Sequence, residues 1–425
     1  MTAALFISFF ILLIIGVPIA ICLGLSVLIT LALGSTVPLI ISAQTMFSGI
    51  DSFPLMAIPF FILAGNLMTQ GGISKRLVNF ASLVVGRITG GLAIVSILAS
   101  TIFAAISGSS PATTAAIGGV MMPAMKKKGY SDYFSGATVA AAGTVGQVIP
   151  PSIPMVVYAV LSGTSLSKLF LGGFGPGILM SIAMIIYAYF YAKRNKIDRS
   201  AEKVAFKEAV KISIDSLWAI LMPLIILGGI YLGIFTPTEA AAVAVFYGII
   251  IGVFVYKELK FSDLPRILVD SAIGTAVIML IMATASSFSW LLTSERIPQA
   301  IATALLSLTS NKYLLLMLFN VILLIAGCFL NPSAAIILLT PILFPVLSQV
   351  GVNPVLIGII MVVNLAIGQV TPPVGACLYV ACNIGNLKLE TLVKTIMPYL
   401  GVLIVALMII TYVEPVTMFL VNLIG

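Results

Sequence analysis

Two copies of one short motif hold the residues best placed to do chemistry: Gly146-Gln147-Val148-Ile149-Pro150-Pro151 and Gly368-Gln369-Val370-Thr371-Pro372-Pro373. Consecutive prolines remove two N–H donors and clash with the carbonyls of the preceding turn, so a helix stops there. The leading glycine permits dihedrals closed to other residues. An apolar run with a polar interruption precedes each copy, at Ser107-Gly108-Ser109-Ser110-Pro111 and at Leu330-Asn331-Pro332. Freed carbonyls and short hydroxyls at ~2.4 Å suit a hard cation such as sodium. The ends of half-helices offer positive dipole ends to an anion such as a carboxylate. Thr144, Gln147, Asn364 and Gln369 flank the two breaks and are candidates for a polar solute lining.

Other chemistries are poorly provided for. The chain has no histidine, the commonest general base and transition-metal ligand. Between Gly90 and Ala192 the only acid is Asp132, and from Lys312 onward only Glu390 and Glu414 occur. Proton relays in membranes use intramembrane Asp, Glu or His, so sodium coupling ranks above proton coupling. Glu239 reads as part of a helix start, Thr236-Pro237-Thr238-Glu239, with a threonine cap, proline at the first position and glutamate at the third. Cys22, Cys328, Cys377 and Cys382 sit in apolar runs without C-x-x-C spacing and read as small buried hydrophobes. No G-x-x-x-x-G-K-[ST] phosphate loop is present. The expectation is that the chain is not an enzyme, takes no nucleic acid and is not itself an ATP-driven pump.

The elements that must position these motifs are membrane helices. Of the residues, 61% are hydrophobic and only 8% charged, against about 25% charged in soluble domains. With ~20 apolar residues per crossing, 425 residues allow many crossings and little else. The net charge of +8 is concentrated at Lys126-Lys127-Lys128, from Lys193 to Lys211 and from Lys257 to Arg266, the pattern of cytoplasmic loops. Gly90 to Pro123 has basic residues on both flanks, so both ends lie inside and the run is re-entrant. Ser74 to Arg87 reads as a basic helix on the cytoplasmic surface. Leu5 to Leu33 is expected to be a single retained first helix starting inside, since no basic region precedes it. Lys193 to Asp215, alternating Lys203, Lys207 and Lys211 with Glu202 and Glu208, reads as a charged amphipathic connector.

The motif copies are displaced by 222 positions, and the same displacement carries Pro123 onto Pro345, Gly129 onto Gly351 and Pro176 onto Pro398. The loop at Lys126-Lys127-Lys128 holds three lysines, whereas its counterpart, Ser348 to Asn353, holds none. One loop is therefore inside and the other outside, which makes the duplication inverted. The expected fold is an all-α polytopic membrane protein with two re-entrant hairpins and two broken helices. Its first half is residues 1–192, its linker 193–215 and its second half 216–425.

With Pro59-Phe60-Phe61-Ile62-Leu63-Ala64-Gly65-Asn66, Ser107-Gly108-Ser109-Ser110-Pro111 and Thr236-Pro237-Thr238-Glu239-Ala240, the repeated motif resembles the large membrane subunit of tripartite ATP-independent periplasmic (TRAP) transporters. The likeness covers essentially the whole chain, and in general appearance is nearest to the sialic-acid permeases. The resemblance implies an elevator-type carrier in a bacterial inner membrane, partnered by a small four-helix membrane subunit and a periplasmic substrate-binding protein. It implies one sodium site at Ser107, Gly108, Ser109, Ser110, Gly146, Ile149 and Pro151. A second falls at Gly327, Asn331, Gly368, Thr371 and Pro373, where Asn331-Pro332 replaces the serine run of the first tip. The N-terminus is expected inside and the C-terminus outside. The rival readings are a stand-alone sodium–dicarboxylate carrier or an ion antiporter of related architecture. A channel fits repeated broken helices less well than alternating access does.

Overall fold

A computed structural model describes residues 2–34, 37–197, 205–309 and 311–424, and among these every regular element is helical. Among the described residues, eight helices are long and apolar enough to cross a membrane. Side chains pointing outward, such as Phe10, Ile182, Phe254 and Phe419, are themselves apolar and exposed. That combination suits hydrocarbon surroundings, where each backbone polar group needs an internal partner and helices supply one.

The first apolar stretch is two helices rather than the one expected. Thr2–Ile14 and Ile19–Gly34 pack against each other. Gly16 adopts a left-handed φ of 87°, and Pro18 restarts the helix, its carbonyl accepting from the N–H groups of Ile21 and Cys22. A proline two residues after a left-handed glycine is a helix stop followed by a helix start.

A frame of further helices packs against the hairpins, Ala57–Gln70 on the first and Leu264–Ser294 on the second. Ala57–Gln70 packs on Pro237–Ile250, and Leu264–Ser294 lies against Ile19–Gly34 and Ile40–Ile50. The capping box at Thr236 and Glu239 forms as expected, with the Thr236 side chain accepting from the Glu239 N–H and the Glu239 carboxylate from the Thr236 N–H. A helix forms near Ser74, at Ile73–Val85, and it has a counterpart in Ile297–Leu308. Each begins after a left-handed residue, Gly72 and Arg296.

Arg76 fastens the first of these helices to the frame. Its Nη1 lies 2.6 Å from Glu258 Oε1, its Nε 3.2 Å from Asp215 Oδ2, and its guanidinium 3.6 Å above the Tyr256 ring. Burial is the main cause that pushes the Tyr256 phenol up to about 12, so the ring under the cation stays neutral. Of the expected connector, Glu202 and Lys203 lie outside the described residues. Lys207, Glu208 and Lys211 form the opening turns of the crossing helix Phe206–Tyr231.

The duplicated unit is visible element by element. The first hairpin has arms Gly91–Ser107 and Ser110–Lys127, and the second has arms Lys312–Phe329 and Pro332–Gln349. The first broken span runs Asp132–Gly143, a 3-10 turn Thr144–Gln147, then Ile153–Ser162. The second runs Pro354–Gly368, then Ala376–Gly385. Each unit closes with a long helix, Leu166–Arg194 or Leu389–Tyr412. The halves interlock: the first hairpin's second arm packs on Ala376–Gly385, and the second hairpin's second arm on Ile153–Ser162.

Candidate cation and solute site

At the first tip, Gly108 turns left-handed (φ 60°), Ser109 is extended, and Pro111 opens the second arm. The Ser107 and Thr113 hydroxyls stand 2.6 Å apart, and the Ser110 hydroxyl donates to the Thr144 carbonyl across 3.2 Å. The break presses against this tip. A Cβ at Gly146 would lie 2.5 Å from Thr113 Oγ1 and 2.6 Å from the Ser109 carbonyl oxygen, and one at Gly108 would lie 2.9 Å from the Pro151 carbonyl oxygen. Glycine is therefore required at both positions by oxygen atoms, and the tip and break meet as a group of neutral oxygens. The Ser152 hydroxyl closes the loop by donating to the Gln147 carbonyl at 2.5 Å, spanning the two prolines.

The second tip is built differently. Leu330 and Asn331 are extended, and Asn331 Oδ1 accepts from the Ser333 N–H at 3.0 Å, which spends its side chain on capping the second arm. Contact with the break is backbone on backbone: a Cβ at Gly368 would lie 2.5 Å from Gly327 Cα and 2.6 Å from its carbonyl oxygen. Thr371 donates its hydroxyl proton to the Ile367 carbonyl at 2.9 Å, leaving oxygen lone pairs free to accept. Both Pro-Pro bonds are cis.

Of the residues expected at the first cation site, Ser107, Gly108, Ser109, Ser110, Gly146 and Pro151 come together. Ile149 is buried, with its side chain against Gly177. At the second, Gly327, Gly368 and Thr371 gather, while Asn331 and Pro373 are exposed. Thr144 is fully buried and donates to the Ala141 carbonyl at 2.6 Å. Gln147 is buried with its amide Nε2 unpartnered, and Gln369 is buried as well. Asn364 pairs with Asn320 at 2.8 Å and with the Ile360 carbonyl, tying the span to the second hairpin. The residue missed in the sequence is Thr113. It lies in an Ala-rich helix with nothing in its spacing to distinguish it, and only the approach of Gly146 reveals it.

The oxygens that meet at the first tip and break are the Ser107 and Thr113 hydroxyls and the Ser109 and Pro151 carbonyls, none of which carries a charge. Neutral carbonyls and hydroxyls favour a monovalent hard cation over a transition metal.

Residues 6–416 match the family described as "Tripartite ATP-independent periplasmic transporter, DctM component". The isethionate TRAP transporter permease protein DctMQ of Oleidesulfovibrio alaskensis is 48% identical over 96% of this chain, which spans only 64% of that protein's length. The C4-dicarboxylate TRAP transporter large permease protein DctM of Pseudomonas aeruginosa is 44% identical over 95% of this chain and 94% of its own. The sialic acid TRAP transporter large permease protein SiaM of Vibrio cholerae is 38% identical over 95% of both. Among solved structures, the Alcanivorax borkumensis YdaH transporter, described as having an unusual topology, superposes with a TM-score of 0.65 over 87% of both chains at 15% identity. That likeness concerns the fold alone.

Proposed function

We propose that this chain, which belongs to the tripartite ATP-independent periplasmic transporter family as its large DctM component, imports a small organic anion together with sodium across the bacterial inner membrane. One observation carries the reading: the Ser107 and Thr113 hydroxyls and the Ser109 and Pro151 carbonyls close around two glycines with no carboxylate among them. A site of neutral oxygens binds sodium without needing a proton partner. The unpartnered Gln147 amide is a buried donor that an anion's oxygen would satisfy. The interlocked halves supply the moving body of an elevator, with Ala57–Gln70, Pro237–Ile250 and Leu264–Ser294 in the fixed frame.

In this reading a small four-helix subunit joins the frame, and a periplasmic binding protein delivers the solute. The named relatives carry isethionate, C4-dicarboxylates and sialic acid, so the substrate class is a small sulfonate or carboxylate anion, with sialic acid one member to be tried. Proteoliposomes holding the chain with its small subunit, given binding protein and each of these three solutes, test it. A sodium gradient should drive uptake of one solute and a proton gradient in sodium-free buffer should not. Equal drive by protons would overturn the coupling, and uptake without binding protein would favour a stand-alone carrier.

A further inference from the structure

The closing helix of the first unit, Leu166–Arg194, carries an exposed apolar ridge, Ile182, Ile186 and Phe190, repeating every four residues. A cleft runs along each side. One, of 330 Å³, lies against the first hairpin and the preceding helix and is lined by Val85, Ile88, Ile94, Leu98 and Ile185. The other, of 500 Å³, lies against the helix Leu389–Tyr412 and is lined by Leu179, Ala183, Gly401, Val402 and Val405. Ile186 and Phe190 form a wall of both.

Cations mark one end of this pair of clefts. Arg194 continues the ridge one turn beyond Phe190, and Lys193 stands one turn beyond Tyr189. Arg87 sits between the cleft residues Val85 and Ile88. The turn that carries it folds onto the same helix end, since a Cβ at Gly90 would lie 2.7 Å from the Ala192 Cβ and 3.3 Å from the Ala188 carbonyl oxygen. All three cations are exposed, and among the described residues none has an ion-pair partner.

We propose that this surface is a binding site for one anionic diacyl phospholipid, with an acyl chain in each cleft and its phosphate held by Arg87, Lys193 and Arg194. The occupant follows from its surroundings and from charge. Both clefts open from membrane-crossing helices, where acyl chains are the available apolar groups. Three cations without an ion-pair partner among the described residues, at the end that the lysine asymmetry assigns to the cytoplasm, complement an anionic headgroup. A zwitterionic lipid would fill the clefts without satisfying the cations. The site involves neither the coupling ion nor the solute, so its failure would leave the transport reading untouched.

The test uses the purified protein in detergent, titrated with phosphatidylglycerol or phosphatidylethanolamine and read by native mass spectrometry and thermal melting. Wild type should retain and be stabilised by phosphatidylglycerol in preference to phosphatidylethanolamine. The triple variant R87Q/K193Q/R194Q should need about tenfold more phosphatidylglycerol or beyond for the same occupancy. Gly401→Leu, whose side chain would enter open space, should weaken both lipids by filling one cleft, and Arg266→Gln, on a different helix, should change neither. Equal retention of the two lipids by wild type, or wild-type selectivity in the triple variant, would overturn the proposal. So would protection of the clefts by the small subunit in the assembled complex with no lipid retained.

Discussion

The two breaks share a motif and a backbone device, yet they are closed to different extents. Every residue from Gly143 to Tyr158 is buried, whereas Thr371 and Pro372 are half-buried and Pro373 and Val374 are exposed, Val374 by 44%. One position differs in step with it. Ser152 bonds back across the prolines to the Gln147 carbonyl, but its repeat counterpart is Val374, which has no hydroxyl. The Gln369 carbonyl is met instead by the Cys377 N–H at 3.0 Å, past a left-handed Gly375 (φ 51°). Duplication therefore preserved the interruption of each helix while allowing the loop that follows to be sealed in one half and left at the surface in the other.

The sharpest way to break the comparison is to add one carbon at each glycine. Gly368→Ala should be the more damaging change, because its Cβ meets only the backbone of Gly327, which has no side chain to move aside. Overpacking of this kind costs about 1–3 kcal/mol and sometimes more, so loss of folded protein or at least a hundredfold loss of uptake is expected. Gly146→Ala should be milder by roughly tenfold, since one of its two close neighbours is the rotatable Thr113 hydroxyl. Size-exclusion profiles and uptake rates of the two variants, measured together, decide the order. Indistinguishable losses would mean that the two contacts are equally rigid.

Ligand chemistry provides the next contrast. Thr371→Val preserves shape but removes the hydroxyl whose lone pairs face away from its bond to Ile367, a loss on the scale of ~1–3 kcal/mol for an unmet polar contact. The sodium concentration giving half-maximal uptake should rise about tenfold or more. Ile149→Val, in the counterpart position, leaves the backbone oxygen in place and should shift it little. Unchanged sodium dependence in both variants would remove the hydroxyl from the cation site while leaving a carbonyl role open.

What the sequence made legible was whatever the backbone cannot hide. Paired prolines, the glycines before them and the polar tips forced the breaks and hairpins. Thr113 stayed hidden because its place at the tip depends on the turn Thr144–Gln147 pressing Gly146, 33 positions later, onto it. The split of the first apolar stretch was readable from Gly16-Val17-Pro18 but was masked by uniformly apolar neighbours, and hydropathy does not register a turn. Asn364 was placed at a solute lining by its nearness to the break. Its bond to Asn320, 44 positions earlier, becomes apparent only through packing.

A subtler change should convert one break toward the other. Ser152→Ala removes the bond that seals the first loop and leaves the buried Gln147 carbonyl unmet, at ~1–2 kcal/mol. The loop should then expose its backbone as the second does. A cysteine placed at Ile149 should react with a membrane-permeant thiol reagent several-fold faster in the Ser152→Ala background. Val374→Ser, the reciprocal change, should slow the reaction of a cysteine at Thr371 if the hydroxyl can reach the Gln369 carbonyl. No change in either rate would mean that packing, not Ser152, holds the first loop closed.

The smallest effect concerns how each broken span is tied to its surroundings, and here the halves converge on one helix by unrelated means. In the first, the Thr138 hydroxyl lies 2.8 Å from the Tyr399 hydroxyl. In the second, Asn364 bonds Asn320, whose Nδ2 donates to Thr411 Oγ1 at 3.1 Å. Tyr399 and Thr411 both belong to Leu389–Tyr412, so that helix is a common strut for the two breaks. The links are not copies of one another, because position 222 after Thr138 is Ile360 and position 222 before Asn364 is Ala142. Polar contacts between membrane helices average only ~0.6 kcal/mol and reach ~1.7 at most, since the unfolded chain in a bilayer also finds partners. A double-mutant cycle of Thr138→Val with Tyr399→Phe should therefore give a coupling near the average, read as thermal stability in detergent. The cycle of Asn320→Ala with Asn364→Ala should give a coupling of the same order, while Asn320→Ala alone should cost more than Asn364→Ala alone, because Asn320 also holds Thr411. Equal losses from the two single asparagine changes would show that the bond to Thr411 adds nothing to the tie between the second break and the strut.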